Sequence, residues 1–215
     1  MKVALIGATG FVGSHILKEL LTREHEVTAI ARNVEKIDVG ETGLKAASID
    51  VNDKEALTEI LRDNSIVVSA FNAGWDNPDL YNDYLNGYES IQQAIRAANI
   101  RRYFVVGNAG SLYIGGKQLV DTPEFPKEMI QGAKASRDYF DKLRRETYLD
   151  WLYLSPQIEM NKDISVEPTG RFRTGRDEPI IKEGVASISV EDLAMAIVDE
   201  VESRKLSRQH FTVGY

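Results

Sequence analysis

The 215-residue sequence predicts an α/β fold with a doubly wound, mostly parallel sheet. Three observations lead to this prediction. The chain opens with an apolar strand pattern, a glycine-rich turn follows it, and strand and helix patterns then alternate along the rest of the chain. Such alternation is typical of βαβ units, whose helices cover both faces of a parallel sheet. The length suits a single domain, which we expect to span residues 1–215.

Three regularly spaced glycines separate the first predicted strand from the first predicted helix. Residues 3–6 are apolar and partly β-branched, as expected for a strand that is covered on both faces. From residue 11 onwards, apolar side chains recur at three- and four-residue spacing, which predicts an amphipathic helix. Gly7, Gly10 and Gly13 lie at the switch between the two patterns. In this context the motif is typical of a Rossmann-type dinucleotide-binding turn.

Each glycine of this turn has its own task in such a site. Gly7 would make the tight turn, Gly10 would let the backbone approach a pyrophosphate, and Gly13 would let the helix pack closely on the strand. Free N–H groups and the helix dipole at the start of the helix favour a bound phosphate. We therefore predict cofactor contacts at Gly7, Thr9, Gly10, Phe11, Val12 and Gly13.

The remaining elements continue the alternation. Strands are predicted at residues 26–31, 44–49, 65–71, 103–106, 151–154 and 211–213. Helices are predicted at residues 53–62, 77–98, 134–146 and 192–203, the second with Asn77 as its N-cap and Pro78 at its first helical position. The irregular segments 107–132 and 155–185 follow carboxyl ends of strands, where open α/β sheets bind ligands. We expect them to form a small substrate-side cap, with short strands at 171–173 and 179–181.

Composition excludes several classes of function. The 33 acidic and 26 basic side chains give a net charge of −7, which disfavours nucleic acid or an anionic membrane as partner. Cysteine is absent, which excludes disulfides, thiolate nucleophiles and cysteine-ligated metals. The three histidines are scattered without metal-ligand spacing, so no metal is predicted. No apolar stretch approaches membrane-spanning length, and we expect a cytoplasmic protein that acts on a small molecule.

The end of the second predicted strand indicates which dinucleotide binds. An acidic residue at this place would bind the ribose 2′-hydroxyl and select NAD. The chain instead has Arg32 and Asn33 there, with Lys36 one turn further on. A guanidinium can hold a 2′-phosphate by charge-assisted hydrogen bonds, and a lysine adds a point charge. We therefore predict NADP as cofactor and leave NAD open; the other interpretation of Arg32 is a solvated loop arginine.

Residues at the ends of the third, fourth and fifth predicted strands complete the expected cofactor site. Asp50 could accept a hydrogen bond from the adenine amino group, or it could be an exposed loop acid. Ala70 and Phe71 would border the adenosine half of the cofactor. We also expect cofactor contacts at Val51 and Gly107, which follow the carboxyl ends of neighbouring strands.

Eight segments, which span nearly the whole chain, resemble a known group of proteins. They are GATGFVGS (7–14), VTAIAR (27–32), SAFNAGWDNP (69–78), VVGNAGSL (105–112), LDWLYLSP (149–156), TGRFRTG (169–175), ISVEDLA (188–194) and FTVGY (211–215). They are similar to the atypical, NmrA-like branch of the short-chain dehydrogenase/reductase superfamily. More narrowly, they resemble small bacterial proteins provisionally named NADH-flavin reductases, which are often placed with NAD-dependent epimerases and dehydratases.

The resemblance implies a catalytic serine, tyrosine and lysine, the last two in a helical YxxxK turn. Ile130 stands four residues before Lys134, the first residue of the predicted helix 134–146, and Tyr139 stands only three residues before Lys142. We therefore interpret the chain as an atypical member without YxxxK, in which Lys134 falls near the place of the lysine. Ser111 is the candidate for the serine, and a structural loop serine is an equally good interpretation.

Without a positioned tyrosine, alcohol dehydrogenation and sugar epimerisation are disfavoured, because both need an acid or base at the reacting oxygen. Hydride transfer to a flavin or a quinone-type acceptor needs no such group from the protein. The sequence therefore predicts an NAD(P)H-dependent oxidoreductase with a flavin as possible substrate. Trp75, Tyr113 and Phe172 are candidate substrate residues, and Arg171 and Arg173 could attract a flavin phosphate or form a solvated strand face.

Two other functions stay open at this point. An NmrA-like redox sensor would bind dinucleotide without turnover and pass its state to a protein partner. A carbonyl reductase could recruit Tyr113 or Tyr139 as its acid. A homodimer is also compatible with the sequence.

Overall fold

The computed structural model describes residues 1–215 and contains ten strands and five α-helices. The strands are β1 (Lys2–Ile6), β2 (Glu26–Ala31), β3 (Leu44–Ser48), β4 (Ile66–Ser69), β5 (Arg102–Val106), β6 (Tyr113–Ile114), β7 (Lys117–Gln118), β8 (Asp150–Ser155), β9 (Arg173–Gly175) and β10 (Gln209–Gly214). The helices are α1 (Phe11–Thr22), α2 (Lys54–Leu61), α3 (Leu80–Ala97), α4 (Ile130–Leu143) and α5 (Val190–Ser203).

Eight strands form one sheet in the order β3-β2-β1-β4-β5-β8-β10-β9. All neighbours are parallel except β9, which is antiparallel to β10 at the edge. The central strand β1 pairs with β2 on one side and with β4 on the other. The strand order therefore reverses beside the glycine turn, which is where doubly wound sheets bind nucleotides. The predicted Rossmann-type fold is confirmed.

Helices cover both faces of the sheet and bury it. Helices α1 and α5 pack together on one face, where Arg23, the C-cap residue of α1, bonds to Asp199 and Glu202 of α5 at 2.7 and 2.8 Å. Helices α2, α3 and α4 pack side by side on the other face. Strand residues alternate between the two resulting cores, so that Leu152 and Leu154 face α5 whereas Trp151 and Tyr153 face α4.

Three local expectations from the sequence are wrong. Helix α3 begins at Leu80 with Asp79 as its N-cap residue, because the Asn77 side chain closes a turn by accepting the Asp79 N–H at 2.9 Å. Pro78 therefore precedes the helix. The strand expected at 171–173 lies at Arg173–Gly175, where its register to β10 places it, and the segment 179–181 forms no strand.

The two irregular segments contact each other over the β8–β10 part of the sheet. Segment 107–132 contains the β6–β7 hairpin and three short 3₁₀ turns. Segment 155–185 is mostly irregular, apart from β9. The Tyr113 N–H in the hairpin donates to the Asp177 carbonyl at 2.7 Å, which joins the two segments. None of the helices has both the length and the apolar composition that crossing a membrane requires.

Candidate active site

The glycine turn is packed so closely that two of its positions exclude any side chain. Gly7 has φ +80°, and a Cβ there would lie 2.6 Å from the Ala70 carbonyl oxygen at the end of β4. A Cβ on Gly13 would lie 2.0 Å from the Gly7 carbonyl oxygen. Both distances are far below any van der Waals contact. Gly7 and Gly13 are therefore needed to bring α1 against β1 and β4, as the motif predicts.

Helix α1 starts with unsatisfied amide groups. Gly10 is its N-cap residue and supplies no side-chain hydrogen bond, so the N–H groups of Phe11, Val12 and Gly13 have no acceptor within the chain. By contrast, α2 and α5 are capped by Asp53 and Ser189, each of which accepts an N–H at 3.0 Å. Uncapped N–H groups at an exposed helix start, together with the helix dipole, make a site for an anion such as a pyrophosphate.

Arg32 lies exposed at the carboxyl end of β2, beside the glycine turn. Its main chain is held by the Ser48 hydroxyl, which donates to the Arg32 carbonyl at 2.7 Å. Neither Arg32 nor the exposed Lys36 has a carboxylate within ion-pair distance. Asn33 is exposed and accepts the Glu35 N–H at 2.8 Å. Two unpaired cations beside the turn fit the predicted 2′-phosphate site.

Of the other residues predicted to border the adenosine, Ala70 and Phe71 face the glycine turn with main-chain atoms. Asp50 is exposed and accepts the Asn52 N–H at 2.9 Å. The Phe71 ring points away from the turn and packs on α3, where a Cβ on Gly87 would lie 2.5 Å from it. Val51 is buried and contacts the same glycine. The Phe71 main chain, however, lies next to Gly7, so that it and Ala70 border the turn through backbone atoms.

Ser111 lies inside the protein, on the 3₁₀ turn Ala109–Ser111 that follows β5. It is fully buried, and its hydroxyl is 3.3 Å from the hydroxyl of Tyr153, which in turn lies 2.6 Å from Ser136 Oγ. Burial raises the pKa of Tyr153. Gly107 is required by the same cluster, because a Cβ there would lie 2.1 Å from the Tyr153 ring. Lys134 is exposed on α4 and forms no hydrogen bond with Ser111.

One YxxxK spacing does occur, which our sequence interpretation missed. Tyr113 and Lys117 stand four residues apart, but Gly115 and Gly116 between them form the turn of the β6–β7 hairpin instead of a helix. Tyr113 pairs with Gln118, and Lys117 pairs with Ile114. Since side chains alternate along a strand, Tyr113 and Lys117 lie on opposite faces of the hairpin. They therefore do not form the tyrosine–lysine pair of a helical YxxxK turn.

Tyr139, the other candidate acid, is enclosed between α3 and α4. It is 2% exposed, its ring stacks on Tyr88 with centroids 4.4 Å apart, and its hydroxyl lies 3.3 Å from both Tyr103 and Gln92. Burial raises its pKa. No substrate oxygen can reach this hydroxyl in the described structure, so the geometry speaks against Tyr139 as a catalytic acid.

The three aromatic residues expected at the substrate lie in three separate parts of the chain, and only Tyr113 and Phe172 belong to the cap segments. Trp75 is half exposed and its ring lies against α4, where a Cβ on Gly132 would be 2.7 Å away. Tyr113 is half-buried in the hairpin. Phe172 lines a cavity of about 610 Å³ near the C-terminal residue Tyr215. A second cavity, of about 300 Å³, lies between Phe11 on α1 and the 160–166 loop.

Sequence reasoning also missed a buried polar chain. His210 on β10 is 6% exposed, with Nδ1 at 2.7 Å from Asp177 Oδ1 and Nε2 at 3.0 Å from Ser155 Oγ. The partners lie 33 and 55 residues away along the chain, so no local motif could reveal them. Ser155 is fully buried, which excludes it as an accessible nucleophile in this structure.

Comparison with known proteins places this geometry in a family. A sequence profile described as NAD(P)H-binding matches residues 7–204. The crystal structure of a protein from Bacteroides thetaiotaomicron, provisionally named an epimerase, is 38% identical with a TM-score of 0.91 and covers 100% of this chain and 96% of that one. A protein from Streptococcus pneumoniae TIGR4, provisionally named an NADH-flavin reductase, is 32% identical with a TM-score of 0.86, and the match covers 100% and 99% of the two chains.

A third similar structure, from Burkholderia pseudomallei, is 36% identical with a TM-score of 0.85 and covers all of both chains. Its provisional name describes an exported protein, so a cytoplasmic location for the present chain stays a prediction. Because the profile matches nearly the whole sequence, the chain belongs to the NAD(P)H-binding family, and the resemblance to atypical short-chain dehydrogenases/reductases is consistent with this.

Proposed function

We propose that this protein is an NADPH-dependent oxidoreductase that reduces a flavin or a quinone-type acceptor. The observation that carries the proposal is Ile130, which stands on the first turn of α4 four residues before Lys134. Lys134, which falls near the place that the resemblance gives to the lysine, therefore has no tyrosine four residues before it. Tyr139, which lies on α4 itself, and Tyr153, which packs against α4, are both buried.

The residues around the glycine turn fit a nicotinamide dinucleotide. Amide groups of Phe11, Val12 and Gly13 are free to bind the pyrophosphate. Arg32 and Lys36 are free to bind a 2′-phosphate, for which the fork of a guanidinium is well suited. NADPH is therefore the preferred cofactor in this proposal. When bound, it supplies a hydride.

The chain itself then has to orient the acceptor and exclude water, because neither a flavin nor a quinone needs a tyrosine proton for hydride uptake. A flavin ring can take its proton from solvent after hydride transfer or remain anionic. The half-exposed Trp75, in the loop after β4, and the half-buried Tyr113, in the cap, supply aromatic surface for stacking such a ring. In the proposed reaction this chain thus positions the acceptor, and no acidic side chain has to donate a proton.

The test is consumption of NADPH by the purified protein with FMN, FAD, a quinone and a simple ketone as acceptors. We expect turnover with the first three and none with the ketone. Tight NADPH binding without turnover on any acceptor would overturn the proposal in favour of a redox sensor. Preferred ketone reduction that is lost in Tyr113→Phe would instead identify a carbonyl reductase.

A further inference from the structure

The cavity near the C-terminus lies on the same edge of the sheet as the glycine turn. It is lined by Thr169, Arg171, Phe172, Arg173, Lys182 and Tyr215, among others, and has a volume of about 610 Å³. Tyr215 directly follows β10, which runs parallel to β8 and hence to β1. Five strand steps separate β10 from β2, so the cavity lies roughly 24 Å across the sheet from Arg32. An acceptor in this cavity would approach the dinucleotide from the side opposite the predicted 2′-phosphate site.

Two of the lining cations have no partner. Arg173 donates to the Tyr215 carbonyl, whereas Arg171 and Lys182 have no carboxylate within ion-pair distance. Glu183 is the one acidic side chain of the lining. In a chain with a net charge of −7, two unpaired cations at one cavity favour an anionic ligand.

The loop that carries Arg171 is fixed by a buried carboxylate. Asp192, on the first turn of α5, is 1% exposed and accepts the N–H groups of Thr169 and Gly170 at 2.8 and 3.0 Å. It also accepts the Tyr215 hydroxyl at 2.6 Å. The Thr169 hydroxyl donates to the Arg171 carbonyl at 2.8 Å. The backbone of Arg171 is thus held in place although its guanidinium bonds to nothing, and such preorganisation lowers the entropic cost of binding a ligand.

We propose that this cavity binds the phosphate monoester of an FMN-type acceptor, with Arg171 and Lys182 as the phosphate ligands. Arg171 can bind two phosphate oxygens at once, and Lys182 adds a point charge. Phe172 and Tyr215 supply aromatic surface in the same cavity, whose volume falls within the usual range for small-ligand sites. The inference rests on the proposed function for the nature of the acceptor, but it concerns binding and can be tested without turnover.

The experiment measures binding of FMN and of riboflavin by flavin fluorescence, in the absence of NADPH. Riboflavin has the same ring system but lacks the phosphate. We expect FMN to bind more tightly, and Arg171→Gln to weaken FMN binding by about fivefold to tenfold, as for the loss of a charged hydrogen bond at a partly exposed site. Lys182→Gln should weaken it less. Inorganic phosphate should compete with FMN, and added salt should reduce the FMN-to-riboflavin affinity ratio.

Arg176→Gln is the matched control, because Arg176 is an exposed arginine just after β9 that does not line the cavity. Its FMN affinity should equal that of the parent protein, and thermal unfolding should show that all three variants are folded. Equal affinities for FMN and riboflavin, or an equal effect of Arg176→Gln and Arg171→Gln, would overturn the inference. Arg171-dependent FMN binding without NADPH oxidation would support this phosphate site while removing the proposed reductase function.

Discussion

His210 Nδ1 lies 2.7 Å from Asp177 Oδ1, and this contact ties the cap to the sheet. On its other side the ring reaches Ser155 Oγ at 3.0 Å, and Phe140 packs against its face with centroids 4.7 Å apart. Burial lowers the pKa of His210 below its ordinary value of 6.5, and the nearby Arg144 adds to this effect while Asp177 opposes it. The imidazole is therefore neutral in the folded protein at neutral pH.

This lowered pKa predicts a loss of stability in mild acid. Below about pH 6.5 the unfolded chain takes up a proton on His210 that the folded protein resists, so the free energy of unfolding falls with decreasing pH until the folded-state pKa is reached. In His210→Gln this contribution is absent, so the free energy of unfolding should change less with pH between about pH 7.5 and 5.5 than it does in the parent protein. Urea unfolding at several pH values measures the slopes; parallel curves for the two proteins would contradict the assignment.

Two variants of the glycine turn distinguish its role in folding from its role in cofactor binding. Gly13→Ala places a methyl group 2.0 Å from the Gly7 carbonyl oxygen, so α1 must move and we expect severe destabilisation. In Gly10→Ala the new Cβ lies 3.3 Å from that oxygen, and φ of −75° suits alanine. Gly10→Ala should therefore stay folded but bind NADPH at least about tenfold more weakly, since the methyl group obstructs the pyrophosphate.

Thermal unfolding and NADPH titration of both proteins provide the check. The prediction fails if Gly10→Ala keeps the parent affinity, because the pyrophosphate would then not approach Gly10. It also fails if Gly13→Ala unfolds at the temperature of the parent protein.

Sequence patterns predicted the parts of the fold that depend on neighbouring residues. Strand β2 lies at Glu26–Ala31 as expected, and the α1 turn needs its glycines for the reasons that the motif gives. The β6–β7 hairpin was missed because its strands are only two residues long. The contacts of His210 were missed because they join residues far apart in the chain. The Phe71 ring was assigned to the cofactor side, whereas packing against Gly87 turns it toward α3.

Arg32 should determine the choice between NADPH and NADH. Arg32→Glu replaces an unpaired cation with a carboxylate that repels a 2′-phosphate and can accept a hydrogen bond from a 2′-hydroxyl. We expect the preference to reverse, with NADPH affinity falling by about 10- to 100-fold, as for the loss of a charge-assisted phosphate contact. Lys18→Glu, on the exposed face of α1, makes the same change of charge away from the site. If Arg32→Glu and Lys18→Glu shift the preference for NADPH over NADH equally, the shift comes from the net charge of the protein and not from a contact of Arg32.

We expect Ile130→Tyr to add ketone reduction to the proposed activity. Residues 130 and 134 are one turn apart on α4, so a tyrosine there would lie on the same helix face as the exposed Lys134. An ammonium group so close to a phenol lowers the phenol pKa and prepares it as a proton donor to a carbonyl oxygen. We expect ketone reduction with NADPH to rise by about 100-fold over the background rate, which is the lower end for general acid catalysis. Ile130→Phe adds the ring without the hydroxyl and serves as the control. Equal ketone reduction in the tyrosine and phenylalanine variants would show that the missing tyrosine does not limit this chemistry, and that the absence of a helical YxxxK turn does not explain the choice of acceptor.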